Sequence, residues 1–142
     1  MSIINKISKS FEIAVSSAES SESEIDELIK YSKVDVPYEF LEIIRERTEI
    51  EILVNKEKYI RIWGAVGCIE MNEAYHIQKY IPNSLAIGDD ECGNVVLYAN
   101  GNNGFGVYIV SFGDLDVDDM IYIADSLENF FVNEEGVGIF IQ

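Results

Sequence analysis

Hydrophobic residues fall three and four apart in the first third of the chain, two apart in the middle, and three and four apart again near the end. Residues 3–18 are weakly amphipathic and read as a helix or a docked arm. A polar break follows from Ser16 to Ser23. Ser21 and Glu24 then fit a capping box, in which the serine oxygen accepts from the first helical turn and the carboxylate reaches back. The helix predicted over 22–32 carries Ile25, Leu28, Ile29 and Ser32 on one stripe. Pro37, whose fixed φ suits a first helical position, starts a second helix over 37–47 with Phe40, Leu41 and Ile44 on its apolar face.

After Thr48 the period drops to two. Ile50, Ile52 and Val54 define one strand, residues 59–63 a second, and Asn55 to Lys58 the hairpin between them. Asn72 reads as the cap of a third helix over 73–80, stopped by Pro82. Strands over 85–87, 94–99 and 106–112 are separated by turn-rich segments at 88–93 and 100–104. An acidic loop spans 113–119. A last helix is predicted over 125–133 and a last short strand over 137–141. Helices first, antiparallel strands next and a closing helix describe an α+β fold. The expected architecture is one domain over 1–142, with an antiparallel sheet of about five or six strands. Phe40, Leu41, Ile44, Ile87, Val96, Val107, Ile109, Leu127 and Phe130 are the expected core.

Composition adds a strong asymmetry. The chain has 142 residues and a formal net charge of −16. Its last base is Lys79; beyond it stand eleven carboxylates and no Lys or Arg. That half is also rich in Val, Ile, Phe and Tyr, so it is expected to fold rather than to form a disordered tail. A folded surface of one sign attracts basic partners and repels nucleic acid and anionic membranes. No apolar run approaches the roughly 20 residues that a membrane-spanning helix needs. The residues at the start, Met1 to Lys6, do not resemble a signal peptide. Cys68 and Cys92 lack metal or redox spacing and read as reduced, buried thiols in a cytoplasmic protein.

Candidate chemistry is thin. His76 is the only histidine and lies in a helical pattern with no nucleophile motif beside it. Cys68 has no base near it in sequence to lower its pKa. The glycines from 101 to 106 lack the lysine and the strand-to-helix setting of a phosphate loop. Asp114, Asp116 and Asp118 are spaced like the start of an EF-hand loop. That loop's glycine position is Asp119 and its final glutamate position is Asp125, so no metal site is expected. No cofactor motif is present, and the pattern points to a non-enzymatic binding protein. The acids of two turns, Asp89, Asp90 and Glu91 with Asp114, Asp116, Asp118 and Asp119, are the candidate partner-binding residues. Turn side chains reach solvent, no base lies close to these in sequence, and turns at one end of a sheet can form one patch.

Several segments carry a family pattern in order: Glu24-Ile25-Asp26-Glu27-Leu28, Val36-Pro37-Tyr38-Glu39-Phe40-Leu41, Ile62-Trp63-Gly64-Ala65, and Leu85-Ala86-Ile87-Gly88-Asp89-Asp90-Glu91-Cys92-Gly93-Asn94. The segment Ile123-Ala124-Asp125-Ser126-Leu127-Glu128-Asn129-Phe130-Phe131 closes it. Over about residues 24–133 the chain resembles the SUKH superfamily, which includes yeast Smi/Knr-type cell-wall regulators and many bacterial immunity proteins. It departs from the pattern after the second helix, where Ile44 to Glu49 replaces a frequent Asn-Gly. The resemblance implies an α+β binding domain with a toxin domain as partner, often a nuclease. The other implied role is a regulatory or scaffold module without a toxin partner. Neither the pattern nor the resemblance specifies an oligomeric state.

Overall fold

In the computed structural model, which describes residues 2–142, seven strands form one antiparallel sheet in sequential order. The strands are β1 (Phe11–Ser17), β2 (Thr48–Val54), β3 (Lys58–Ile62), β4 (Ser84–Asp89), β5 (Asn94–Gly101), β6 (Gly104–Ser111) and β7 (Ile121–Ala124). The helices are α1 (Glu22–Tyr31), α2 (Tyr38–Ile44), α3 (Ala65–Ala74), α4 (Ile77–Tyr80), α5 (Leu127–Asn133) and α6 (Val137–Phe140). The α+β fold is the expected one, with one strand more than the upper expectation. No described helix is long and apolar enough to cross a membrane.

Two strands are unexpected, β1 and β7, the latter in a segment for which the sequence pattern predicts no element. Residues 11–17 were expected within a helix or arm, but Phe11 pairs with Val54 and Ile13 with Ile52. Phe11, Ile13 and Val15 do alternate by two. The strand is an edge with two register shifts, and its pairing with β2 overrides the weak helical pattern. Only residues 3–6 form a short 3-10 turn. A further correction is at 137–141, where the expected strand is the one-turn helix α6. Gly136, at φ 77°, lies against β7: a Cβ there would stand 2.0 Å from the Ile123 carbonyl oxygen. The chain therefore turns away at this point, and Phe140 docks edge-on to Phe130 with centroids 5.5 Å apart.

Burial follows the period. Ile50 and Ile52 of β2 face Ile62 and Ile60 of β3, and all four are buried. On that face Ile60, Val96, Val107 and Ile123 meet Leu127, Phe130 and Phe140 from α5 and α6, and Phe40 of α2 meets Tyr98. All nine expected core residues are buried. Each such side chain contributes roughly 1.5–3 kcal/mol. The other face is covered from α3 and α4, which pack on β4, while α1 packs on α3. Every residue of β4 is buried, as expected of a strand covered on both sides.

The capping box at Ser21 and Glu24 is present, with both hydrogen bonds made. Asn72 is not a cap. It sits inside α3, fully buried, because α3 starts eight residues earlier than expected. Its amide receives the Ala86 N–H at 3.0 Å and donates to the Ala86 oxygen at 2.9 Å and the Cys68 oxygen at 2.7 Å. Strand β3 ends at Ile62 and pairs with β4 only through Arg61 and Ile62. The Asn72 side chain thus takes the place of a missing strand neighbour for Ala86, and Gln78 donates to its oxygen at 2.8 Å. Asn72→Ala strands both backbone groups of Ala86 and should cost about 3 kcal/mol. Urea unfolding checks this; a loss below about 1 kcal/mol would mean that water replaces the amide.

Candidate functional site

Three connections gather at one end of the sheet: the β2–β3 turn, the β4–β5 turn and the β6–β7 loop. Both candidate acidic segments lie there. Phe112 N–H donates to the Gly93 oxygen at 2.9 Å, which joins the two segments directly. The structure nevertheless divides their carboxylates into two kinds.

Asp89 and Asp90 do not reach solvent; both are buried. Asp89 closes β4 rather than occupying the turn. Its Oδ2 accepts the Trp63 indole N–H at 2.8 Å, and its Oδ1 accepts the Glu91 N–H at 2.8 Å. Asp90 organises the turn. Its Oδ1 accepts from Cys92 and Asn94 N–H at 2.8 and 3.0 Å, and its Oδ2 accepts from the Asn94 amide at 2.7 Å. Lys58 Nζ lies 3.0 Å from the same Oδ2. Burial pushes the Asp90 carboxyl up, but hydrogen bonds from Asn94, Cys92 and Lys58 outweigh it and hold the group below its ordinary value. Glu91 is exposed and pairs with Arg61 at 3.2 Å. The bases missing from the nearby sequence arrive from β3, across the sheet.

The β6–β7 loop is different. Asp114, Asp116, Asp118 and Asp119 are all exposed. Leu115 and Met120 pack against the core, and this tethering turns the intervening acids outward. Asp116 Oδ1 accepts the Asp118 N–H at 2.9 Å and caps the 3-10 turn Val117–Asp119. Asp119 shares a hydrogen bond with Asp114, and that bond together with the charge of Asp114 raises its pKa. Carboxylate oxygens of Asp114, Asp116 and Asp119 come within 4.8 Å of one another. The EF-hand spacing had suggested Asp118 as the third member; the tight turn brings in Asp119 instead.

The seven other carboxylates beyond Lys79 all engage a group elsewhere. Besides Asp89, Asp90 and Glu91, Asp125 accepts from the Tyr122 hydroxyl. Glu128 faces Lys6 at 3.9 Å, Glu134 accepts from Ser10 at 3.0 Å, and Glu135 accepts the Asp125 N–H at 3.1 Å. Of the eleven carboxylates beyond Lys79, the four aspartates of the β6–β7 loop are the ones with no ion pair or side-chain hydrogen bond to a group outside their own loop.

The residues with catalytic potential are not brought together. Cys68 is fully buried, and burial pushes its thiol well above the ordinary value, which removes its nucleophilic form. Cys92, expected to be buried, is exposed on the β4–β5 turn. His76 is exposed in the break between α3 and α4, at φ 52°. A cleft of about 510 Å³ beside the start of α3 is lined by Glu19, Glu49, Arg61, Trp63 and Glu70. Two of its polar groups serve the fold: Glu49 accepts the Gly64 N–H at 3.0 Å and Ser20 accepts the Ala65 N–H at 3.0 Å. Sequence reading missed Glu39, whose carboxylate accepts from the Tyr98 hydroxyl at 2.6 Å and from Leu127 and Glu128 N–H at 2.7 and 2.9 Å. Ser126 caps α5 locally by accepting the Asn129 N–H at 3.0 Å, but the additional cap from a side chain 88 residues away leaves no local signal.

The molecule is therefore an α+β domain on one meandering sheet, with four exposed aspartates that have no partner outside their loop at one end. The profile of the SMI1 / KNR4 family (SUKH-1) matches residues 19–133, and the chain belongs to that family. No curated protein matches the chain.

The two kinds of carboxylate separate under mutation. Asp90→Asn leaves Lys58 unpaired in a largely buried position and should cost about 3 kcal/mol. Because the folded-state pKa of Asp90 is depressed, its contribution is fully present above the ordinary value of 3.8. It is lost as the pH falls through the lower folded value. Asp90→Asn should remove that part of the acid limb of the stability curve. Asp116→Asn should stay within about 0.5 kcal/mol of wild type. Equal stabilities for the two variants, measured by urea titration at several pH values, would contradict this division.

Proposed function

We propose that the chain is an immunity protein: a cytosolic, non-enzymatic domain that binds a cognate toxin domain with a basic surface, such as a nuclease, and neutralises it. The observation that carries this reading is the set of four exposed aspartates, Asp114, Asp116, Asp118 and Asp119, whose charges are answered by no group outside their loop. Glu91 lies at the same end and adds a fifth carboxylate, partly offset by Arg61. Asp89 and Asp90 act in this reading only by shaping the turn. Membership of the SUKH-1 family supports a protein-binding role. The net charge of −16 supports the sign of the partner. A phosphate-binding active site must be basic, and an acidic surface both covers it and steers the encounter.

The experiment begins with capture of partners on the immobilised chain from its native cell, identified by mass spectrometry. A toxin domain with a basic face is expected. Recovery of a cell-wall or signalling factor instead would favour a regulatory module. With the purified toxin domain, Asp116→Lys combined with Asp118→Lys should slow association roughly tenfold at low salt. The wild-type on-rate should fall as salt rises, and stability should change by no more than about 0.5 kcal/mol per site. An on-rate indifferent to both salt and charge reversal would remove the loop from the interface.

A further inference from the structure

Beside the acidic loop lies an apolar groove of about 320 Å³ between β6, β7 and α6. Its floor is Ile109 and Phe140, both buried, and its walls include Ile121 and Ile139, which are 54% and 46% exposed. Asp114 and Asp119 form its rim. Two half-exposed isoleucines facing each other over a buried floor leave apolar surface in water that a docked side chain would cover.

We propose that this groove is the anchor point of the interface. It receives a bulky apolar side chain from a protein partner whose surrounding surface carries Lys or Arg to meet Asp114 and Asp119. This inference rests on the partner reading above and adds the chemistry of the contact. An apolar centre with a charged rim is the usual division of labour in protein interfaces: the centre sets the lifetime of the complex and the rim sets its rate of formation. The charge of the rim selects the occupant. A second copy of this chain would bring its own Asp114 and Asp119 against these, in a molecule of net charge −16, and like charges across an interface are costly. A small anion finds no free base, because Lys58, the only cation lining the groove, is held by Asp90 at 3.0 Å and by the Phe140 oxygen at 2.9 Å. A basic surface with a protruding apolar residue satisfies both rim and floor. Crowding within the loop acts in the same direction, since carboxylate oxygens of Asp114, Asp116 and Asp119 lie within 4.8 Å of one another and an arriving cation would relieve their repulsion.

The probe is the purified basic domain recovered on the immobilised chain. Ile121→Ser and Ile139→Ser should each raise its dissociation rate roughly tenfold and leave the association rate and its salt dependence unchanged. Both side chains are about half exposed, so the variants should fold, which circular dichroism and thermal melting verify. Hydrogen–deuterium exchange of the complex should protect β6, β7 and α6. If charge reversal at Asp116 and Asp118 slows association while neither isoleucine variant changes dissociation, the groove is not the anchor, although the toxin reading stands. If the isoleucine variants release a basic partner that is not a toxin, the groove inference stands and the toxin reading falls. A dimer of the free chain in light scattering that is lost in Ile139→Ser would assign the groove to a second copy and overturn the proposal.

Discussion

The ion pair between Lys58 and Asp90 ties together three parts of the fold at the end of the sheet that carries the acidic loop. It connects the first residue of β3 to the turn after β4, with the lysine side chain largely buried and the aspartate completely so. Lys58 also donates to the Phe140 oxygen and lies 4.8 Å from the centre of the Phe140 ring. One ammonium group thereby fixes the β2–β3 hairpin, the β4–β5 turn and α6 to one another. A buried pair of this kind gains little over an apolar substitute, but losing either partner costs several kcal/mol. Its consequence here is positional. The turn held by Asp90 binds the start of the acidic loop through Gly93 and Phe112, and α6 supplies Ile139 and Phe140 to the groove.

Local patterns made much of the fold legible. The capping box and the period of two in β2 act within a few residues and the structure keeps both, while Pro37 stands one position before its expected place, as the N-cap of α2, which ends at Ile44 rather than near 47. What was hidden depends on distant contacts. The strand β1 shows Phe11, Ile13 and Val15 at spacing two, yet only pairing with β2 decides that they form a strand. The start of α3 at Ala65 has no cap in its own sequence: Gly64 and Ala65 donate instead to Glu49 and Ser20. Residues 137–141 look like a strand because Val, Ile and Phe favour one, and Gly136, seated against Ile123, turns them into a helix.

The candidate site was legible only in part, for a related reason. Sequence shows where carboxylates are but not what they face. Asp89, Asp90 and Glu91 stand as an acidic run whose nearest base in the sequence is Lys79. In the fold, Lys58 and Arg61 reach them from a strand about thirty residues earlier, because β3 and β4 are neighbours. The run at 114–119 has no such neighbour. It follows β6 near the edge of the sheet, where only β7 lies beyond, so no further strand is available to supply a base. Two acidic runs thus produce an internal clamp at one turn and an open acidic surface at the next.

This arrangement separates the groups that hold the fold from the charges of the open loop. A loop of four aspartates that repel one another costs folding free energy unless it is held, and it is held from below by Leu115 and Met120 rather than by its own charges. The acids can therefore change without unravelling the sheet, since no contact that closes the core passes through them. The clamp residues cannot: Asp90, Lys58 and Asn72 are buried groups whose partners have no alternative. A domain that must meet a variable partner gains from such a division, because the surface that selects the partner drifts freely over a fixed frame. An active site is arranged in the opposite way, with its reactive groups locked into the frame by packing and hydrogen bonds. Asp90, Lys58 and Asn72 are occupied with holding the frame together, whereas the four aspartates of the β6–β7 loop stand outside it.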